Sequence, residues 1–276
     1  MPLVSADIPK SLRTALDKEI ARLRTDESAV VTAALSKYLR TPAHTLFQIS
    51  TSGALVAGVY DREVSVGSIL KHGDFGLGTF ANLDGEMVVV DGRAFQVHGT
   101  GNVSEATPDA GAPFAVVTRF SPQIHIDSGA IASVHDLEEF CDRHRSSGNI
   151  FYAIRLDGRF KRVRTRAVNP PQPGTRLVDA AKAQTEFSFT DLDGTLVGLW
   201  SPGFSSAFSV PGYHFHFISD DRAHGGHLLD LEASRLHVRI ESLTDFHLAL
   251  PASEAFLKAD LSKNTADELA YAEKAH

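Results

Sequence analysis

From Leu46 onward the chain is written in short apolar runs, and this texture constrains the fold more than any other feature. LFQIS, ALVAGVY, EMVVV, AFQVHG, FAVVTRF and FYAIRLDG are each of strand length, rich in β-branched or aromatic residues, and separated by Gly and Asp. Such runs suit an extended backbone and are too short for amphipathic helices. Asp91-Gly92, between EMVVV and RAFQV, is a type I′ hairpin signal. The linker NPPQPGT (169–175) carries Pro170, Pro171 and Pro173, which exclude helix and interior strand. Beyond it TEFSFT, TLVGLW, FSVPGYHFHFIS, HLLDLEAS, RLHVRIES and FHLALP continue the strand pattern. Helical signals interrupt it twice, in SVHDLEEFCDRHRSS and in a last helix opened by Thr265. The pattern predicts an α+β (mixed α/β), β-rich protein with two sheets.

Residues before Thr41-Pro42 read differently. Ile8, Leu12, Ala15, Leu16, Ile20 and Leu23 fall at helical spacing, and Asp26 can cap a second helix, ESAVVTAALSKYLR. A short extended piece, LVSAD, followed by two helices resembles the ribbon-helix-helix segment of small dimeric repressors, whose strands enter the major groove. LVSAD offers no Lys or Arg, which favours a helical hairpin or a dimerisation appendage over DNA binding. The expected organisation is a helical extension (1–42), a mixed-sheet domain (43–170) and a metal-binding β domain with a terminal helix (171–276).

Composition narrows the function. With 34 Asp+Glu against 27 Lys+Arg the formal charge is −7, which argues against nucleic acid as a partner. Cys141 is the single cysteine, so an internal disulfide and a Cys-based zinc cage are excluded. It shares a helix face with Val134, Leu137 and Phe140, where a thiol serves as a small hydrophobe. No run approaches the roughly 18 apolar residues of a membrane span. MPLVSADIPKSLR lacks an apolar signal core, so a cytoplasmic location is expected. GDFGLGTF suggests a tight loop, yet it matches neither a phosphate loop nor a dinucleotide fingerprint.

Four of the thirteen histidines lie between His214 and His227. Alternate side chains of a strand share a face, so His214 and His216 point one way while Phe215 and Phe217 point the other. Asp220, Asp221, Gly225 and Gly226 supply a turn, and HLLDL returns as a partner strand. His227, opening that strand, can face the same pocket; His224, within the loop, is the rival third ligand. Three imidazoles with no fourth protein ligand form the donor set of a catalytic zinc site, although iron, nickel and copper suit imidazole too.

PGYHFHFISDDRAHGGHLLD resembles the metal-binding hairpin of the α-acetolactate decarboxylases. GALVAGVYDREVSVGSILKHGDFGLGTFANLDGEMVVVDG and FYAIRLDGRFKRVRTRAV resemble further segments of that family, from about Leu46 to the C-terminus. The resemblance implies two β-sheet domains with the metal site between them, commonly as a homodimer. It implies His214, His216 and His227 as ligands of Zn2+, with another divalent transition metal as the alternative and no organic cofactor. It further implies Glu86 and Glu273 as active-site glutamates, Arg166 facing the substrate, and Thr79 as a substrate contact. The implied reaction turns (S)-2-acetolactate into (R)-acetoin and CO2. Two other readings compete. A cupin-like dioxygenase or small-molecule-binding protein also carries Gly-x-His-x-His, but usually has Glu where this chain has Asp220. A ligand-sensing regulator would give the N-terminal segment the leading role.

Overall fold

The computed structural model describes residues 5–23, 26–39, 44–172, 174–263 and 265–273. The boundary read at Thr41-Pro42, the Leu3-Val4 end of the expected strand, Thr25 and Pro173 lie outside the described residues. The chain forms two compact units, 1–43 and 44–276.

In the first unit, α1 (Lys10–Leu23) and α2 (Glu27–Leu39) form the expected helices. Arg13 holds Asp17 one turn on at 2.7 Å and crosses to Glu27 at 2.8 Å, so one side chain ties the two helices. Ser5, Ala6 and Asp7 form no strand, and none of the described side chains of this unit is buried.

The second unit opens with β1 (Thr45–Ile49), α3 (Ser52–Val56), β2 (Val64–Ser65), α4 (Val66–Ile69) and β3 (Phe75–Thr79). Then come β4 (Glu86–Val90), β5 (Arg93–Val97), β6 (Val103–Glu105), β7 (Gly111–Ala112), β8 (Phe114–Thr118), β9 (Ile124–Asp127) and α5 (Val134–His144). Long strands follow: β10 (Phe151–Ala167), then, after α6 (Leu177–Ala181), β11 (Thr185–Ser201), β12 (Gly212–Ser219) and β13 (Gly225–Leu243). The chain closes with β14 (Asp245–Ala249), α7 (Glu254–Lys258) and α8 (Ala266–Glu273). No helix among the described residues is long and apolar enough to cross a membrane.

Among the described residues one sheet has seven strands in the order β14-β1-β8-β3-β4-β5-β6, and a second has the order β10-β11-β12-β13-β9. β10 also pairs with β13, so the pairings β10–β11–β12–β13–β10 close into a cycle. The boundary expected at 170/171 therefore does not separate the sheets. β10 precedes the proline linker yet belongs with β11 and β13, and β14 returns from the far end of the chain to pair in parallel with β1. Strand pairing is long-range, and a proline-rich stretch marks only where pairing stops. ALVAGVY is a second departure: Ser52–Val56 is helical rather than extended, because the Thr51 side chain caps it by accepting from Ala54 N at 3.1 Å.

Where the sheets meet, Leu77, Val88, Phe95, Val116, Val197 and Ile218 bury one continuous core. A second core inside the closed sheet contains Phe160, Phe215, Phe217 and Leu236, with α5 laid over it through Leu137, Phe140 and Cys141. Phe217 is fully buried, worth about 2–3 kcal/mol by itself. Burial pushes the Cys141 thiol up to about 12, so it is packing and not a nucleophile. The basic run after β10's midpoint is largely paired: Lys161 with Glu232, Arg162 with Asp230 and Arg164 with Glu186. Only Arg166, next on the same strand face as Arg164, turns inward to a buried position.

Candidate active site

Pairing register assembles the site. Arg166 of β10 lies opposite His227 of β13, and His227 lies opposite His216 of β12, so three neighbouring strands set these residues in one cross-strand row. His214, two residues before His216, shares its face, while Phe215 and Phe217 point into the core behind. The Asp220-Asp221 turn leads back into β13; Asp221 accepts from Ser219 Oγ at 2.6 Å and from Ala223 N at 3.0 Å. His224 stacks on Phe189 at 4.4 Å between ring centroids and takes no part in the cluster.

One ring nitrogen from each of His214, His216 and His227 lies within 4.8 Å of the other two. His214 Nε2 and His216 Nε2 are 3.2 Å apart, close to the roughly 3.4 Å separation of two imidazole nitrogens on a tetrahedral ion with bonds of about 2.1 Å. The distal nitrogens are oriented by carbonyls. His216 Nδ1 donates to Met87 O at 2.8 Å and His227 Nε2 to Glu273 O at 3.2 Å. A carbonyl only accepts, so each ring carries its proton outward and its lone pair inward. Burial lowers His214 and His216 to about 3 and His227 well below the ordinary imidazole value, with Arg166 adding to each shift. Three neutral imidazoles converging on one point form a group that could hold a metal ion.

The first sheet supplies the opposite wall. Glu86 opens β4 opposite Thr79 of β3, and its carboxylate lies 3.6 Å from His216 Nε2. Met87, the next residue, gives the carbonyl that orients His216, so one strand start serves two purposes. Burial pushes the Glu86 carboxyl up to about 7, opposed by Arg166 and reinforced by Glu273. Thr79 Oγ donates to Gly85 O at 2.8 Å, a structural use of a hydroxyl that also lines the cavity. α8 brings Glu273 back across the site, within 3.5 Å of Arg166 and 3.6 Å of His214 and His227. Burial raises the Glu273 carboxyl too, against the pull of Arg166.

These residues enclose about 50 Å³ of free space, lined on its apolar side by Leu55, Leu83, Phe114, Val168, Leu177 and Val210. All seven residues named in advance meet here: Thr79, Glu86, Arg166, His214, His216, His227 and Glu273. Sequence reasoning missed Met87, whose part is played by a backbone carbonyl, and Gln184, whose side chain accepts from Arg166 Nη1 at 2.5 Å. No residue-type pattern signals either contact.

Fold and site define a class: an enzyme for small anionic substrates, with a three-histidine group at the seam of two sheets and a buried arginine beside it. Comparison with known proteins narrows the class. The family model for alpha-acetolactate decarboxylase matches residues 46–263. The chain is 39% identical to the alpha-acetolactate decarboxylase of Methanosarcina mazei over 230 residues, covering 83% of this chain and 80% of that protein. It is 40% identical to that of Methylococcus capsulatus, covering 83% and 89%. The crystal structure of alpha-acetolactate decarboxylase from Bacillus subtilis superposes with a TM-score of 0.81 at 35% identity, covering 84% of this chain and all of that one. The chain belongs to the alpha-acetolactate decarboxylase family, a family of carboxy-lyases. The cupin-like reading is thereby displaced, and Asp220 is an exposed turn residue. Glu273 lies beyond the matched segment, so its membership of the site rests on geometry.

Proposed function

We propose that this chain converts (S)-2-acetolactate into (R)-acetoin and CO2 at a zinc ion held by His214, His216 and His227, without an organic cofactor. The observation that carries the reading is the convergence, in one small cavity, of three neutral imidazoles, one buried guanidinium and two carboxyls with raised pKa. Zinc suits this donor set, since neutral imidazoles leave the ion's charge undiminished and leave room for substrate. Bound there, the ion would supply Lewis-acid stabilisation of the oxygen charge that develops as CO2 departs.

The protein's own groups account for the rest. The substrate ketone is β to the carboxylate, so the electron pair released by C–C cleavage flows into the carbonyl and no external electron sink is needed. Arg166, buried and fork-shaped, binds the carboxylate and holds it in a fixed orientation relative to the ketone. Its Nε has no hydrogen-bond partner among the described residues, a donor free for that task. The carbon that loses CO2 must then gain a proton on one face. Glu86, whose carboxyl burial raises and which faces the site from β4, is one candidate to deliver it. Glu273, raised by burial and carried on α8 from the other side, is the second candidate. Assembly as a homodimer, carried over from the family resemblance, completes the proposal.

Incubation of purified protein with racemic 2-acetolactate, followed by chiral chromatography, tests the reading. Acetoin enriched in the R enantiomer is the expected product; absence of acetoin, or loss of CO2 no faster than in buffer, would overturn it.

A further inference from the structure

Arg166 is held by few partners for a buried cation. Nη1 donates to Gln184 Oε1 at 2.5 Å, Nη2 lies 3.5 Å from Glu273 Oε2, and Nε has no hydrogen-bond partner among the described residues. Gln184 sits in the short connection between α6 and β11 and does not line the cavity. Its corner is pinned on both sides: Asn169, three residues beyond Arg166, donates from Nδ2 to Ala183 O at 3.4 Å and to Thr185 Oγ1 at 3.0 Å. The Gln184 backbone N–H closes the α6 turn on Ala181 O at 3.3 Å. A side chain whose neighbours are tied so closely to β10 aims its carbonyl at a fixed point.

We propose that Gln184 is the positioning residue for Arg166, a neutral acceptor that anchors one arm of the guanidinium and leaves its positive charge for the substrate carboxylate. This rests on the reaction proposed above. The chemistry of the anchor is what matters. A carboxylate at this place would close an ion pair with Arg166 and compete with an anionic substrate. An apolar side chain would leave the guanidinium to close further onto Glu273, already 3.5 Å away, and to swing toward Glu86, which shares the cavity. An amide oxygen does neither.

The test compares wild type and Arg166→Ala with Gln184→Met, which keeps the length and loses the acceptor, and Gln184→Glu, which keeps the acceptor and adds charge. Acetoin formation gives kcat and KM; bound metal per chain and melting temperature are measured on the same preparations. Gln184→Met is expected to lower kcat/KM by about tenfold to a hundredfold, the loss typical of removing a hydrogen bond to a charged group, with metal content and melting temperature unchanged. Gln184→Glu is expected to act mainly by raising KM, because the substrate now competes for a neutralised cation. Wild-type kcat and KM in Gln184→Met would overturn the inference. So would losses that merely track missing metal or unfolded protein, since a purely structural residue gives that result. Wild-type protein that forms no acetoin removes the proposed reaction and this inference together, and is told apart by the reference samples.

Discussion

Gly85 and Gly92 stand at the two ends of β4, and both adopt left-handed backbone conformations, with φ of +81° and +74°. They differ in the space around them. A Cβ at Gly92 would find nothing nearer than Asp74 Cβ at 4.0 Å, whereas one at Gly85 would lie 2.1 Å from Val97 O and 2.9 Å from Val97 C. Gly92→Ala therefore carries only the conformational penalty of an L-residue in that region, about 1 kcal/mol. Gly85→Ala carries the same penalty plus a clash with a backbone carbonyl of the paired strand, which has no rotamer with which to yield; a further 2–3 kcal/mol or so is expected. At roughly 3 °C per kcal/mol for a body of this size, the melting temperature should fall by about 3 °C in one variant and about 10 °C in the other. Function should separate them further. Gly85 O accepts the Thr79 hydroxyl, and Glu86 is the next residue, so displacing that corner moves the carboxyl that faces His216. Gly92 belongs to the Asp91-Gly92 turn at the distal end of the strand. Thermal melts followed by circular dichroism, with acetoin assays on the same samples, are sufficient. Equal destabilisation, or wild-type kcat in Gly85→Ala, would refute the argument from local space.

Removing metal with a chelator should abolish acetoin formation and added Zn2+ restore it; His216→Ala should retain less metal by elemental analysis, while Arg166→Ala keeps its metal and loses turnover. Glu86→Gln and Glu273→Gln, assayed side by side, should include at least one loss of about a hundredfold or more in kcat, the usual scale for a lost proton donor; two near-wild-type rates would exclude both from proton delivery. His44 donates from Nδ1 to the fully buried Glu241 at 2.9 Å, a hydrogen bond that raises its pKa against the opposing effect of partial burial. A raised folded-state value means stabilisation present below about pH 6.5 and lost as pH rises through the higher folded value. The gap in urea midpoint between wild type and His44→Ala should accordingly shrink from pH 5.5 to pH 8.5, and a constant gap would contradict the assignment. Deleting residues 1–43 should leave kcat per chain unchanged, because every site residue lies in 44–276; fewer chains per particle by light scattering would assign assembly to the deleted segment.

The chain's strand texture, its hairpin at Asp91-Gly92 and its amphipathic α5 were legible because each depends on neighbours in sequence: alternation, turn chemistry and helical spacing act over a few residues. The same locality explains the error at ALVAGVY, where a run of apolar residues suits a strand or a buried helix equally, and one capping bond from Thr51 decided between them. His214 and His216 could be put on one face by period-two alternation, and His227 beside them by the shortness of the loop. Thr79, Glu86, Arg166 and Glu273 were nameable only through family resemblance, since nothing within a few residues of any of them distinguishes it from a solvated surface group.

What tertiary structure alone decided is the environment of those groups. Lys161, Arg162, Arg164 and Arg166 belong to one basic run, yet three face carboxylates in or near solvent and the fourth is buried, because the closed strand cycle sets Arg166 opposite His227. Glu86 rises to about 7 because a second sheet covers it, and Gln184 reaches Arg166 because β10 and β11 pair beside it, Ala167 opposite Thr185. Sequence by itself determined which chemical groups were available and which strands could present them. Strand register and burial, both consequences of pairing between residues far apart in the chain, determined which groups lost their water and so acquired altered proton affinities and a common target.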